Sequence, residues 1–267
     1  MLDFSNTVQV PEQPSYGCLM PPPEAAATSA PLRRRRRAVA VQEILSAAEC
    51  HIAEHGPHAL SLRAIARSLE MTVQALYHYF PSRDDLVTAL VTKAYDDLVN
   101  AVQEAVDTPP DDTAVPRFAL AAEGYRGWAV ANPERFQLIY GTPLRHYRAP
   151  TPGPTTRAVR RMSAIFHREL FDGFTAAQLD AANIPVLSPP LREHFEHLPR
   201  NGLGALPPAA TALLLSAWGH MHGLVTLEVF GHTTFIGPHQ AEIFHMAMCT
   251  MVEDIHRRIP AAGPATP

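Results

Sequence analysis

The chain holds 267 residues, 46% of them hydrophobic, and carries a formal net charge of -4. That size allows one large domain or two smaller ones with a sizeable core, while the mild acidity excludes a uniformly basic nucleic-acid binder, so only a local concentration of positive charge could serve DNA. Cys18, Cys50 and Cys249 are too few and too far apart for a disulfide framework or a zinc pattern, and no apolar run resembles a membrane span or a secretory signal, so a protein of the reducing cytoplasm without a membrane partner is expected.

Residues 1–31 are rich in proline with little apolar periodicity and read as a disordered tail. Arg33, Arg34, Arg35, Arg36 and Arg37 follow without interruption and read as a flexible arm for phosphates or a minor groove. Val41, Ile44, Leu45, Ala48 and Ile52 then share one face of a first helix, which Gly56 and Pro57 stop. Ser61 N-caps a short second helix through Leu62, Ile65, Ala66 and Leu69. Thr72 caps a third, ending at Phe80, and Ser82 with Asp85 opens a long fourth through Leu86, Leu90, Ala94, Leu98 and Val102.

A linker at 107–116 leads into further helices predicted over 118–131, 134–140, 156–171, 191–198, 209–229 and 239–259. Proline-rich loops fill 141–155 and 183–190, residues 261–267 form a second tail, and no alternating pattern worthy of a strand appears. The fold class predicted is all-α, with a helix-turn-helix domain over 32–82 and a helical domain over 83–260.

Two short helices joined by a tight turn have the spacing of a helix-turn-helix, whose second helix can enter a major groove. Leu76 and Phe80, four apart, face the domain core and leave Val73, Gln74, Ala75, Tyr77 and Tyr79 for the other sides. A phenol is a good phosphate donor, and glutamine can pair bidentately with adenine. Charge agrees: residues 31–95 sum to +3 and the remainder to -7, so a basic head sits on an acidic body.

The stretch "EILSAAECHIAEHGPHALSLRAIARSLEMTVQALYHYFPSRDDLVTAL", within residues 37–98, resembles the N-terminal DNA-binding domain of the TetR/AcrR family of transcriptional regulators. The resemblance implies that Thr72, Tyr77 and Tyr79 touch phosphates, that Val73, Gln74 and Ala75 approach base edges, and that Arg83 meets the backbone, with Ser61 and His78 completing the DNA-binding set. One position departs from the family pattern: Glu70 stands in the turn where glycine is usual. Glutamate tolerates a positive φ poorly, which puts the geometry of that turn in question.

Further on, "EGYRGWAVANPERFQLIYG" and "SAWGHMHGLVTLEVFGH" resemble the ligand-binding domain of a TetR subfamily with a Trp-His-Gly signature. That likeness implies a homodimer built on the last two long helices, a palindromic double-stranded DNA operator, and a small-molecule effector that releases a repressor. From helical face and family position, Tyr125, Trp128, Phe136, Tyr140, Met162, Phe166, Trp218 and Met221 are the expected ligand-binding residues, a set suited to an apolar or aromatic effector.

Histidines raise the question of a metal. His51 and His55 lack the order of a zinc-protease motif, and neither the "EHFEH" run (Glu193, His194, Glu196, His197) nor His220 with His222 has ligand spacing, so no metal and no cofactor are read. An enzyme is disfavoured because the chain lacks a nucleophile-base constellation or a glycine-rich phosphate loop. A purely architectural DNA-binding protein leaves the large second domain unexplained.

Overall fold

Caps and prolines decide where the helices of this chain begin, and helices are the only regular secondary structure among its described residues. The computed structural model describes residues 23–109, 115–142, 144, 147–148, 150, 153–198 and 206–261, with side chains from residue 31 onward. In chain order the α-helices are α1 Pro23–His55, α2 Leu62–Ser68, α3 Val73–Tyr77, α4 Arg83–Asp107, α5 Arg117–Ala131, α6 Pro133–Tyr140, α7 Pro154–Phe171, α8 Ala176–Asp180, α9 Pro189–Glu196, α10 Pro208–Val229 and α11 Gln240–Arg258. The all-α prediction is therefore borne out.

Several boundaries differ from expectation, each for a local reason. Proline at 133, 154, 189 and 208 occupies the first turn of its helix, where a missing N–H costs nothing, instead of standing outside it as a breaker. Helix α8 is an addition to the expected elements; Thr175 and Gln178 form a reciprocal capping box at its start, a signal present in the sequence. The third helix closes at Tyr77 rather than Phe80, because Tyr79 N–H turns back to the Leu76 carbonyl at 2.9 Å and tightens the last turn.

The N-terminal expectation also needs correction. Helix α1 starts at Pro23, so residues 23–31 are helical where a disordered tail was expected, and Arg33 to Arg37 are exposed residues of that helix, not a flexible arm. Alanines at 25, 26, 27 and 30 favour the helix strongly enough to take in Pro31. The remainder of that tail, the linker residues 110–114, parts of the 141–155 loop and the tail from 262 lie outside the described residues. By contact the chain divides into residues 1–43 and 44–267, and the buried core belongs to the second unit.

At the N-terminal end of that unit, Ile44, Ala48 and Ile52 from α1, Ile65 and Ala66 from α2, and Leu76 from α3 are all buried, as are Leu86 and Leu90 at the start of α4. From Ala94 onward the core is continuous with the body, where α4 packs on α5 and α7, and α5 packs on α10 and α11. Gly124 lets α5 approach α4 closely: a Cβ there would stand 2.7 Å from the Ala105 Cβ and 2.8 Å from the Ala101 carbonyl oxygen. Ionic ties also cross the helices. The Glu49 carboxylate of α1 meets Lys93 of α4 at 3.2 Å and Arg135 of α6 at 3.4 Å, and both cations also pair with Asp97. Arg126 of α5 grips Glu228 of α10, Nε to Oε2 at 2.7 Å, with its guanidinium 5.8 Å above the Phe244 ring.

Glu70 adopts the conformation that its position in the turn demands. Its φ is 53°, and it is the one non-glycine residue with positive φ among the described residues. The Met71 N–H donates to the Ala66 carbonyl at 2.8 Å and the Glu70 N–H to the Arg67 carbonyl at 3.1 Å, the paired bonds that close a helix on a left-handed residue. The turn is thus preserved and the strain is borne by glutamate. Replacing Glu70 by glycine is expected to stabilise the protein by about 0.5–1 kcal/mol, seen as a higher urea midpoint; an unchanged or lower midpoint would show that no strain is stored there.

Candidate nucleic-acid interface and ligand cavity

The turn fixes how α3 is presented. Ser61 Oγ accepts from Ala64 N–H at 3.4 Å to start α2, and Thr72 Oγ1 accepts from Ala75 N–H at 3.1 Å to start α3. Ser82 Oγ accepts from Asp85 N–H at 3.1 Å and donates to the Asp85 carboxylate at 2.7 Å, so α4 begins immediately after Pro81. Leu76 and Phe80 are buried, whereas Thr72, Gln74, Tyr77 and His78 are exposed and Val73, Ala75 and Tyr79 are half-buried. Arg83 is half-exposed at the first position of α4. One short element therefore buries two apolar anchors and offers hydroxyl, amide and phenol groups outward.

Deeper in the body lies a cavity of about 220 Å³. Its walls come from Tyr95 of α4, Phe118 of α5, Tyr140 of α6, Met162, Ser163 and Phe166 of α7, and Leu214 and Trp218 of α10. Four of the eight residues expected to bind ligand, Tyr140, Met162, Phe166 and Trp218, thus come together at one wall. Tyr125, Phe136 and Met221 are instead fully buried behind it, and Trp128 packs under Arg135, whose guanidinium lies 5.4 Å from its ring. Tyr125 supports the wall: its ring meets Phe136, Phe166 and Trp218 edge-on at 5.5–6.3 Å, and its hydroxyl bonds to His222 Nδ1 at 2.8 Å. The His222 ring stacks on Trp218, centroids 5.4 Å apart.

Burial pushes the phenols of Tyr95, Tyr125 and Tyr140 above their ordinary range, so all three stay protonated. Burial pulls the His222 imidazole below its ordinary 6.5, which keeps it neutral near neutral pH. Among the described residues lining the cavity none carries a charge.

The comparisons with known proteins fall on these same two regions. Residues 44–90 match the family model of bacterial regulatory proteins, tetR family, and residues 118–251 match the tetracyclin repressor-like C-terminal domain. The chain belongs to the TetR family. It is 36% identical over 179 residues to the HTH-type transcriptional regulator Rv1816 of Mycobacterium tuberculosis, covering 67% of this chain and 75% of that protein. An equal match is found to the HTH-type transcriptional regulator Mb1846 of Mycobacterium bovis. Among solved structures, the regulatory protein SCO4313 aligns with a TM-score of 0.65 at 30% identity, over 82% of this chain and 98% of that one. A protein of unknown function from Rhodococcus sp. RHA1 shares the fold, with a TM-score of 0.57 at 22% identity over 80% of this chain and 94% of that one. The chain is accordingly a TetR-family helix-turn-helix regulator of transcription that binds DNA, and not an enzyme.

As a TetR-type C-terminal domain, the body carries wall residues that pattern reading passes over: Tyr95, Phe118, Val159, Ser163, Leu214 and Leu215. Tyr95 and Phe118 sit in helices whose pattern points to structural roles, and Leu214 and Leu215 fall within an apolar run of α10 where no period separates wall from core. No helix among the described residues is long and apolar enough to cross a membrane.

His222 ties this region to pH. Above roughly pH 6.5 its imidazole is neutral in both folded and unfolded chains and its contribution is complete; as pH falls below that value the unfolded chain takes up the proton first and stability is lost. Half-buried His167 is shifted in the same direction by burial. The melting temperature is expected to drop between about pH 7.5 and pH 5.5, and His222→Gln to flatten that drop. Scanning calorimetry at the two pH values checks this, and an unchanged slope in the variant would remove His222 from the account.

Proposed function

We propose that this TetR-family regulator is a homodimeric repressor that holds a palindromic operator through α3 and releases it when a small, largely apolar ligand fills the cavity of the body. The observation that carries the reading is α4: one end, Arg83, follows the recognition segment, and twelve residues on Tyr95 forms a cavity wall. A ligand that prefers one tilt of this helix would alter the spacing of two recognition helices, with coupling of about 1–3 kcal/mol.

Dimerisation is supported by the outer face of α10 and α11, where Leu227, Ile243 and Met246 are exposed and His220 lines a broad groove. Such an apolar face suits a copy of itself related by a two-fold axis, and that axis would present two α3 segments about one turn of DNA apart. Leu213 and Ala217 of α10 and Phe244, Met248 and Met251 of α11 are buried within the protomer, so pairing would rest on the neighbouring stripe of each helix. On DNA, Thr72, Tyr77 and Tyr79 would hold phosphates, Val73, Gln74 and Ala75 would face bases, and the exposed arginines 33–37 would add sequence-independent charge.

The test is fluorescence anisotropy on DNA taken from upstream of the protein's own coding sequence. Tyr77→Phe is expected to weaken binding by roughly the same factor on every sequence, whereas Gln74→Ala should relax preference at one base pair by about 1–3 kcal/mol. A uniform loss for Gln74→Ala, or a change of preference for Tyr77→Phe, would overturn the roles. A full-length dimer that binds its upstream region no better than random DNA at moderate salt would overturn the function.

A further inference from the structure

Helix α7 begins with more positive charge than the described residues around it balance. No side chain caps it, Pro154 has no N–H to offer, and its first turn holds no acidic residue. The N–H groups of Thr155 and Thr156 therefore leave the positive end of the helix dipole open. A cation is unfavourable at that end, yet Arg157 and Arg160 stand in the first two turns. Arg161 pairs with Asp96 at 2.9 Å, whereas neither Arg157 nor Arg160 is in an ion pair among the described residues.

Thr155 is a second, independent sign. It is only 7% exposed, and its hydroxyl has no hydrogen-bond partner among the described residues. A buried hydroxyl normally finds one, because leaving the bond unmade is expensive. The oxygen is not sealed off: Thr155 lines a hollow of about 500 Å³ together with Tyr147, Thr156 and Arg160. An incoming acceptor can reach it there.

That hollow abuts the apolar cavity, since Tyr95 and Val159 line both. Ser163 of the apolar cavity lies two turns along α7 from Thr156, so about 10 Å of helix separates the cationic end from the apolar one. Arg160 is the one charged residue among the described linings of the two. A ligand that matches this polarity carries one negative charge at one end and an apolar body at the other, because a second charge inside the hollow would lose its water without gaining a counter-ion.

We propose that the effector is an amphipathic monocarboxylic acid whose apolar body fills the 220 Å³ cavity and whose carboxylate accepts from the Thr155 hydroxyl, the first-turn N–H groups of α7 and the Arg160 guanidinium. This rests on the ligand-responsive reading of the body and adds to it a charged subsite and a chemical class. Thr155 and Arg160 are the specificity-determining residues.

The experiment compares octanoate, octanol and octylammonium on the full-length protein, with acetate as the head group alone. Calorimetry gives affinity and stoichiometry, and anisotropy follows release of upstream DNA. Octanoate should bind at least about 10-fold more tightly than octanol, octylammonium or acetate, and Arg160→Gln and Thr155→Val should each bring it close to the octanol level. Ser163→Phe, which fills the apolar cavity from α7, should weaken octanoate and octanol alike.

Octanoate bound no more tightly than octanol or acetate, tightest binding by octylammonium, or an octanoate preference that survives both Arg160→Gln and Thr155→Val would each overturn the acid subsite while leaving ligand-responsiveness intact. If none of the four binds and none loosens the DNA complex, the ligand-responsive reading itself fails and the subsite falls with it. Octanol affinity in each variant is the control for a correctly folded cavity. Should Thr155→Val lose it, Arg160→Gln decides alone, since the Arg160 side chain is exposed and its loss leaves the core untouched.

Discussion

Truncation of Leu76 to alanine is expected to cost about 2–5 kcal/mol and to abolish DNA binding. The side chain is wholly buried, and α3 has five residues, far fewer than an isolated helix needs to persist in water. Its order therefore comes from packing, and Leu76 with Phe80 supplies the apolar contacts. The chain's two tryptophans, Trp128 and Trp218, both lie in the body, so their fluorescence reports a region that Leu76 does not touch. Urea titration followed by circular dichroism and by DNA anisotropy should show the loss, with the tryptophan signal shifted less. A loss under about 1 kcal/mol would mean that the recognition segment is held by something other than this anchor.

The second large effect concerns Arg126. Its guanidinium and the Glu228 carboxylate make two charge-assisted bonds across α5 and α10, with side chains only 18% and 9% exposed. Arg126→Ala leaves the carboxylate shielded from water without a counter-ion, and a loss of about 3–5 kcal/mol is expected. Changing both partners, Arg126→Met with Glu228→Leu, should recover most of it, since the pair's own desolvation is then relieved as well. Thermal denaturation of the two single variants and the double variant measures this. A double variant as unstable as Arg126→Ala would show that the bond geometry, not the orphaned charge, sets the cost.

The head was legible because its signals are local. Ser61, Thr72 and Ser82 each cap the helix that the sequence assigns to them, and Leu76 with Phe80 faces inward as their spacing requires. Even the oddity at Glu70 was visible as a residue out of place in a turn that needs positive φ. The cavity was only half legible, because its wall depends on which face of each helix meets which neighbour. Tyr125 and Tyr140 look alike in the sequence, yet one is support behind the wall and the other is part of it. The arginine run misled for a different reason: five like charges suggest a solvated arm, while the alanine-rich stretch before them carries the helix straight through.

Helix α4 has a mechanical consequence. Its 25 residues contain neither glycine nor proline, and at 1.5 Å per residue it is a rod of about 37 Å with no joint along its length. Tyr95 stands roughly 18 Å from Arg83 along that rod. Were a ligand to push sideways at Tyr95, no glycine or proline joint would take up the push, and it would reach the Arg83 end as a rotation. Since Ser82 and Asp85 cap the first turn of the rod directly behind Phe80, the α3 segment would then have little slack with which to ignore it.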